Sequence, residues 1–391
     1  VVHAFNAEKY QNDKFDGPSK DMMNVQMKNQ KLFALVQPTM TLGMNGLALV
    51  IYWLGAALVN QIPLTDPMSR LTMFSNVLVF STYATYIIMS FMMLVMIFMM
   101  LPQAEVSAER INEVLDRKAS ITEGSVREGS ERGSVEFRDV CFRYPGASEE
   151  DLSHISFQVK QGETLAIIGA TGSGKSTLVS LIPRFYDATS GQVLVDGVDV
   201  KDYAFDALYD KLGYVTQKAV LFSGSIRDNV FFGESAAAAD DGALSSAIEL
   251  SQAKEFVDKL PEGTDHHIAQ LGRNVSGGQK QRLSIARAIA KDPKVYLFDD
   301  SFSALDYKTD VTLRRALKAQ TDNATVIIVA QRISTVLHAN QILVLDEGRL
   351  VGKGTHAQLM VSCPEYQEIA RSQLSQKELA LDTLNTEKEG E

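Results

Sequence analysis

The sequence predicts a membrane-embedded, all-α part followed by an α/β domain, and three observations support this fold class. Two long stretches within residues 32–104 carry no charged side chain. Beyond residue 134, strand-like segments alternate with turn signals and helical segments. A glycine-rich loop there follows an apolar strand and precedes a helix. We therefore divide the 391 residues into a partial transmembrane domain (1–118), a linker (119–133), an α/β domain (134–372) and a polar tail (373–391).

Composition excludes some classes of function. The formal net charge of −10 gives no support for nucleic acid as a partner. Two cysteines, Cys141 and Cys363, are too few for a disulfide framework, which agrees with a reducing compartment around the α/β domain. The chain begins with Val1 and shows no signal peptide. We therefore expect that further N-terminal sequence, with further membrane helices, precedes Val1 in the natural protein.

The two uncharged stretches predict membrane-spanning helices. No charged residue lies between Lys31 and Asp66, or between Arg70 and Glu105. Each stretch exceeds the ~20 apolar residues that a spanning helix needs. Backbone polar groups in lipid find no water to bond, and a helix pairs them within the segment. We place the spans at about 32–60 and 71–101. Lysines and arginines on both outer flanks predict a multi-pass protein of the cell membrane with a cytoplasmic α/β domain. A pair of core helices in a soluble protein is the alternative.

A methionine run in the second span has two interpretations. The run extends from Met89 to Met100. Its flexible thioethers suit an adaptable surface for hydrophobic compounds. The simpler interpretation is packing against lipid and other helices, which requires no bound compound.

A phosphate-binding loop is predicted where ETLAIIG runs into GATGSGKST. Glycines let the backbone N–H groups converge on phosphate oxygens. In such a loop, Lys175 reaches the β- and γ-phosphates and the Ser176 hydroxyl ligates Mg²⁺. A nucleoside triphosphate with Mg²⁺ is therefore the predicted ligand. The predicted contacts are Gly169, Thr171, Gly172, Ser173, Gly174, Lys175, Ser176 and Thr177.

A second apolar strand, VYLFDD, ends in two acidic residues, Asp299 and Asp300. An acid at the end of a buried strand is the usual partner of a phosphate-binding loop, so we expect Asp299 to support Mg²⁺. A solvated acidic pair at a strand end is the alternative. It explains the pattern less well, because the glycine loop lies upstream.

The segment VSGGQKQR, from Val275 to Arg282, closely resembles the signature of ATP-binding cassette (ABC) proteins. The resemblance implies that the bound nucleotide is ATP and that the signature contacts the γ-phosphate held by a second subunit. By the same resemblance, Tyr144 stacks on adenine, Gln217 contacts Mg²⁺, and Asp306 of SALD belongs to the D-loop. The signature residues concerned are Ser276, Gly277, Gly278 and Gln279.

The same resemblance implies an architecture and partners. The fold is that of an exporter half-transporter, with the last two transmembrane helices of its membrane domain ahead of a P-loop NTPase domain. That domain contains an antiparallel β-subdomain before the phosphate-binding loop and a helical subdomain around residues 218–290. Implied partners are a second half-transporter, membrane lipid and a hydrophobic small-molecule substrate such as a drug or a lipid.

Two positions depart from the pattern of active ABC proteins. Asp300 stands where the family carries the glutamate that activates the attacking water, and Gln331 stands where it carries a histidine. The shorter carboxylate and the non-titrating amide predict a site that binds ATP but hydrolyses it slowly. This combination resembles the degenerate half of bacterial heterodimeric multidrug exporters. The competent site then uses the partner's phosphate-binding loop, glutamate and histidine with the signature of this chain.

Two alternatives to this heterodimer remain open. In a homodimer, Asp300 would act as a slower base. In a regulatory module, the chain would bind ATP as a clamp and never hydrolyse it. The intact signature argues against the second alternative, because it is useful only where a partner hydrolyses ATP.

Overall fold

A computed structural model describes residues 1–233, 240–303, 305–320 and 323–373 of the chain. The chain forms two compact units, which consist of residues 1–118 and of the residues from 119 onward. Of the predicted polar tail, only Gln373 lies within the described residues.

The first unit is a pair of long helices, α1 (Glu8–Asn60) and α2 (Pro67–Leu115). The predicted spans lie within these helices, and both helices continue beyond them. The Asp66 carboxylate caps α2 by accepting a hydrogen bond from the Ser69 N–H at 3.1 Å, and Pro67 takes the first helical position. In the most apolar 18-residue stretch of each helix, 11% is buried in α1 and 0% in α2. This exposure argues against core helices of a soluble protein, which are mostly buried.

Small side chains bring α1 and α2 close together. Gly55 of α1 and Ser81 of α2 are buried, and the Ser81 hydroxyl donates to the Tyr52 hydroxyl at 3.3 Å. A Cβ atom on Gly55 would lie 2.5 Å from Cγ1 of Val77. Helix pairs in membranes associate through such close packing, so Gly55 is a structural requirement of this unit.

Replacing Gly55 with leucine is expected to separate the two helices and destabilise the unit. Overpacking of this kind costs about 1–3 kcal/mol. Thermal unfolding of the detergent-solubilised full-length protein would show a lower midpoint for Gly55→Leu. Gly43→Leu is the matched control, because no atom lies within 4 Å of a Cβ at Gly43. An equal midpoint for both variants would contradict the packing described here.

The second unit is built on a six-stranded sheet in the order β12-β11-β3-β10-β9-β6. Its inner strands are parallel, and β12 pairs antiparallel with β11 at one edge. The central strands are almost continuously apolar and buried, as expected for a parallel sheet covered on both faces. The strands are β3 (Thr164–Gly169), β6 (Leu212–Val215), β9 (Val295–Asp299), β10 (Thr325–Val329), β11 (Gln341–Asp346) and β12 (Arg349–Gly354).

The predicted antiparallel subdomain is a four-stranded sheet in the order β2-β1-β4-β5. It was expected to precede the phosphate-binding loop, but β4 and β5 follow the loop in sequence. Its inner face forms one core with the six-stranded sheet, in which the stacked rings of Phe137 and Phe157 lie 4.6 Å apart. A short two-stranded ribbon, β7 and β8, lies in the region predicted as helical. These strands are β1 (Val135–Phe142), β2 (Leu152–Val159), β4 (Ser190–Val195), β5 (Val198–Asp199), β7 (Gly224–Ser225) and β8 (His267–Ile268).

Helices surround the sheets of the second unit, and the longest of the central region, α8, carries the signature at its start. A second hydrophobic core lies between the six-stranded sheet and the helices α5, α6 and α8. The helices are α3 (Lys175–Ser180), α4 (Phe205–Lys211), α5 (Ile226–Val230), α6 (Asp241–Leu250), α7 (Lys254–Val257), α8 (Gly277–Lys291), α9 (Tyr307–Gln320), α10 (Ile333–Val336), α11 (His356–Ser362) and α12 (Pro364–Gln373).

Residues 119–133, predicted as a linker, are bound to the surface of the second unit. The Gly124 N–H donates to the Tyr203 carbonyl at 2.9 Å, and the Val126 N–H donates to the Asp202 carbonyl at 2.8 Å. The Gly133 N–H donates to the buried Asp196 carboxylate at 2.6 Å. These bonds fix the course of the segment beside residues 196–203.

Candidate nucleotide site

One edge of the six-stranded sheet collects the predicted site residues. The parallel strands β3, β6, β9 and β10 end side by side, with Val329 opposite both Ile167 and Asp299. The glycine loop follows β3, Asp300 follows β9, and Gln331 follows β10. Ligands of open α/β sheets bind beyond the carboxyl ends of such strands. Residues more than a hundred positions apart in sequence, such as Lys175 and Asp299, thus meet at one edge.

The loop between β3 and α3 curls around the Lys175 side chain. Its ammonium donates to the carbonyl oxygens of Gly169 at 2.9 Å and of Ala170 at 2.6 Å. Gly174 has φ 92°, and a Cβ there would lie 2.8 Å from the Leu152 side chain. Only glycine meets both conditions without strain. Burial lowers the pKa of Lys175, and the neighbouring carboxylate of Asp300 opposes that shift.

Ser176 and Asp299 form the predicted metal-binding pair. The Ser176 hydroxyl donates to Oδ1 of Asp299 at 2.8 Å, and the Tyr214 hydroxyl lies 3.5 Å from Oδ2. Asp299 is buried, which raises the pKa of its carboxyl. Mg²⁺ prefers oxygen ligands and is usually held by one or two carboxylates together with phosphate oxygens and water. A hydroxyl beside a buried carboxylate, next to the phosphate-binding loop, fits this ion.

Asp300 lies between the two predicted glutamines. Its Oδ2 accepts a hydrogen bond from Nε2 of Gln331 at 2.6 Å and another from Nε2 of Gln217 at 3.2 Å. Asp300 is 7% exposed, and burial raises the pKa of its carboxyl although both amides stabilise the anion. Its backbone has φ 48°, a conformation that aspartate tolerates better than most residues. The three side chains form one hydrogen-bonded cluster.

A cleft of about 390 Å³ lies in front of this sheet edge. Half of the predicted site residues line it together with the end of β10. The lining residues predicted from sequence are Thr171, Gly172, Gly174, Lys175, Ser176, Thr177, Gln217, Asp300 and Gln331.

Sequence reasoning missed three acidic residues of the cleft, Glu150, Asp151 and Glu347. The first two precede β2, and Glu347 lies in the turn between β11 and β12. No motif marks them, and Gly348 signals only a turn. Their charges face a site for an anionic ligand, so they oppose phosphate binding where the loop and Lys175 favour it.

Tyr144 lies beside the phosphate-binding loop but does not line the cleft. Its hydroxyl is 3.2 Å from Oγ1 of Thr177. Its ring meets those of Phe142 and Tyr186 edge-on, at centroid distances of 4.8 and 5.2 Å. These contacts fix the ring, and the stacking of Tyr144 on adenine stays a prediction.

The signature residues cap helix α8. Ser276 Oγ accepts a hydrogen bond from the Gln279 N–H at 3.4 Å, and Oε1 of Gln279 accepts one from the Ser276 N–H at 2.8 Å. This reciprocal pair is a capping box. No atom lies within 4 Å of the position that a Cβ on Gly277 would take. Ser276, Gly277, Gly278 and Gln279 do not line the cleft of their own chain.

Asp306 of the predicted D-loop caps the next helix, α9. Its carboxylate accepts hydrogen bonds from the N–H and the hydroxyl of Thr309 at 3.0 and 2.7 Å. These bonds lower the pKa of Asp306. Ala304, in the same motif, lies outside the described residues.

Comparison with known proteins connects this site to a family. Residues 152–303 match the family model described as ABC transporter. An uncharacterized ABC transporter ATP-binding protein of Mycobacterium bovis is 39% identical over 383 residues, which are 95% of this chain and 63% of that protein. An ATP-dependent lipid A-core flippase of Aromatoleum aromaticum is 34% identical, over 96% of this chain and 61% of that protein. The chain thus spans about three fifths of the length of the curated relatives it matches.

A solved structure shows a similar fold. A bacterial Atm1-family ABC exporter with ATP bound matches with a TM-score of 0.78 and 29% identity, over 96% of this chain and 64% of that chain. The likeness confirms the predicted fold class, in which two apolar helices precede an α/β nucleotide-binding domain with mixed sheets.

Proposed function

The chain carries an ABC transporter ATP-binding domain of the exporter type, and from this premise we propose that it is the degenerate-site half of a heterodimeric exporter. In this proposal, several helices of the protein span the cell membrane, and its nucleotide-binding domain lies in the cytoplasm. Its partner is a second half-transporter, and the complex exports hydrophobic compounds, drugs or lipids. Relatives named as lipid A-core flippases support the lipid part of the substrate class.

The site residues have distinct roles in this proposal. Lys175 neutralises the β- and γ-phosphates, and the backbone N–H groups of residues 171–176 hold the same oxygens. Ser176, Asp299 and Gln217 are the residues that would hold Mg²⁺. Mg²⁺ supplies charge neutralisation on the phosphates. Two ATP molecules between two such domains then close the dimer, and hydrolysis reopens it.

The cluster around Asp300 carries the argument for a degenerate site. A general base needs a carboxylate oxygen that can accept a proton from water. Oδ2 of Asp300 accepts two amide N–H bonds, from Gln331 at 2.6 Å and from Gln217 at 3.2 Å, which stabilise the anion and so make the carboxylate a weaker base. Gln331 donates a hydrogen bond but cannot exchange a proton near neutral pH. The site therefore favours holding ATP over cleaving it.

Hydrolysis is then assigned to the other site of the dimer, which the partner's phosphate-binding loop forms together with the signature of this chain. Water attacks the γ-phosphorus, the bond to the β–γ bridging oxygen breaks, and the partner's base takes the proton from water. The capped start of α8 presents backbone N–H groups to the partner's ATP. The homodimer remains the second candidate, supported by the raised pKa of Asp300, which is typical of a carboxylate poised as a base.

Substitution of Asp300 distinguishes the two candidates. The full-length protein is tagged and purified from its native host, the co-purifying subunits are identified, and ATP turnover is measured. We expect a second cassette subunit, and a change in turnover of less than about twofold for Asp300→Asn, because this group does not act in the rate-limiting step. Recovery of this chain alone, with turnover lost in Asp300→Asn, would establish the homodimer instead.

A further inference from the structure

The last described residue of helix α12, Gln373, is bonded to the nucleotide site across forty positions of sequence. Its Nε2 donates to the carbonyl oxygen of Gln331 at 2.8 Å, and its Oε1 accepts from the Ile333 N–H at 2.8 Å. A single amide thus pairs with the backbone on both sides of Arg332. We refer to residues 331–333 as the switch segment.

Two further anchors hold the switch segment: the Ile333 side chain is fully buried in the core, and the Arg332 carbonyl accepts a hydrogen bond from the Thr335 N–H at 3.1 Å. Gln331 and Arg332 are exposed, and the helix that follows, α10, has only four residues. Beyond the segment, the Ser334 carbonyl accepts from Arg314 at 2.8 Å, and the buried Asp310 holds the same guanidinium in a bidentate pair. Helix α9 and the core therefore anchor the C-terminal side of the segment, and Gln373 of α12 holds the exposed backbone at Gln331.

The bonded segment carries the side chain that contacts Asp300. Gln373 bonds to the backbone carbonyl of Gln331. The side-chain amide of Gln331 in turn donates to Oδ2 of Asp300 at 2.6 Å. A shift of the backbone by a fraction of an ångström changes the reach of that amide. Errors of about 1 Å in the position of a catalytic group alter rates by about a hundredfold, so anchoring of this segment has functional weight.

We propose that Gln373 is a positioning residue of the nucleotide site, which holds the switch segment so that the Gln331 amide faces Asp300 and the γ-phosphate. This inference rests on the proposed function, because it requires ATP in the cleft. Gln373 does not itself touch the nucleotide. Its effect is specific to ligands that carry a γ-phosphate, since the α- and β-phosphates lie against the glycine loop.

The chemistry of an amide explains why glutamine suits this position. The bond to Gln331 needs a donor and the bond to Ile333 needs an acceptor, and a carboxamide supplies both. Glutamate keeps the acceptor but places a carboxylate against the Gln331 carbonyl. Methionine keeps the length and removes both bonds. These two variants therefore disrupt the hydrogen bonds of Gln373 in different ways.

The test compares ATP and ADP binding to this subunit within the purified full-length transporter. Azido-ATP and azido-ADP label the subunit, and competition with unlabelled ATP and ADP gives both affinities. We expect Gln373→Met to lower the preference for ATP over ADP by about threefold to tenfold, as the loss of one or two hydrogen bonds implies. The ADP affinity should stay unchanged. Gln373→Glu should show the same selective loss.

Gln367→Met is the matched control, because Gln367 lies on the same helix and its side chain bonds to Arg371 and the Val361 carbonyl, away from the switch segment. It should leave the preference unchanged. Gln331→Met should also lower the preference, and Gln331→Met combined with Gln373→Met should lower it no further, since both act through one contact. Equal loss of ATP and ADP affinity, additive effects, or no effect of Gln373→Met would overturn the inference.

Failure of the proposed function would give a different experimental result. Full labelling of the Lys175→Ala variant would refute nucleotide recognition at this cleft, and the inference with it. The absence of any preference for ATP in the wild-type subunit would do the same. A wild-type preference for ATP that survives Gln373→Met would refute only the role of Gln373.

Discussion

Replacing Ser276 with alanine is expected to lower ATP turnover of the full-length transporter by at least about a hundredfold, the usual cost of losing a donor to a transition-state anion. Ser276 begins helix α8 and lies outside the cleft of its own chain. In the proposed heterodimer, it faces the γ-phosphate in the competent site of the partner. Steady-state phosphate release by the purified complex measures the effect.

The loss of a helix cap must be separated from the loss of a phosphate contact. Thr355 and Gln358 form the same capping box at α11, with Thr355 Oγ1 3.4 Å from the Gln358 N–H and Gln358 Oε1 2.9 Å from the Thr355 N–H. Either cap contributes about 1 kcal/mol. Thr355→Ala should therefore match the drop in stability of Ser276→Ala but keep turnover. Turnover retained in Ser276→Ala would rule out an in-trans role for the signature.

Those parts of the site that depend on local sequence could be predicted from sequence. The glycine loop needs a strand, a turn that allows positive φ and a helix within one short segment, and GATGSGKST contains all three signals. Asp299 follows a run of apolar residues that only a buried strand explains. Gln217 and Gln331 have no local signal, and only resemblance to a family placed them at the site. The structure brings both onto Asp300 because β6 and β10 flank β9.

Contacts between distant segments could not be predicted. Gln373 bonds to Gln331 across the fold, and Glu150 reaches the cleft from the antiparallel sheet. Neither position differs in pattern from an ordinary polar surface residue. The glycines of residues 119–133 suggested a linker, yet the Gly124 N–H pairs with the Tyr203 carbonyl. Glycine signals backbone freedom in the unfolded chain, and tertiary contacts decide whether that freedom remains.

The ribbon of β7 and β8 shows the same limit within the region predicted as helical. Gly224 and Ser225 pair with His267 and Ile268, and each strand has only two residues. Strands this short carry no alternation of apolar and polar residues, so a pattern-based prediction misses them. The family resemblance implied a helical subdomain around residues 218–290, and the helices α5, α6 and α8 lie in this region.

If the proposed function is right, placing glutamate at position 300 and histidine at position 331 should raise hydrolysis at the site of this chain. Asp300→Glu lengthens the side chain by one methylene, and Gln331→His replaces an amide that cannot exchange protons with an imidazole that can. The measurement uses a complex whose partner subunit carries a neutral substitution at its own catalytic carboxylate, so that background turnover is low. We expect the double variant to raise turnover by about tenfold or more, since a well-placed base contributes about 10²–10⁴-fold.

The expected gain is smaller than the full contribution of a base for a structural reason. Residue 300 has φ 48°, and glutamate adopts this left-handed region less readily than aspartate. Asp300→Gln with Gln331→His is the matched control, because it has the same length without a charge and should gain nothing. If ATP labelling is intact and the double variant stays inactive, the pair at 300 and 331 is not what limits hydrolysis. The acidic lining formed by Glu150, Asp151 and Glu347 would then be the next group to neutralise, because its charges oppose the build-up of negative charge on the phosphates.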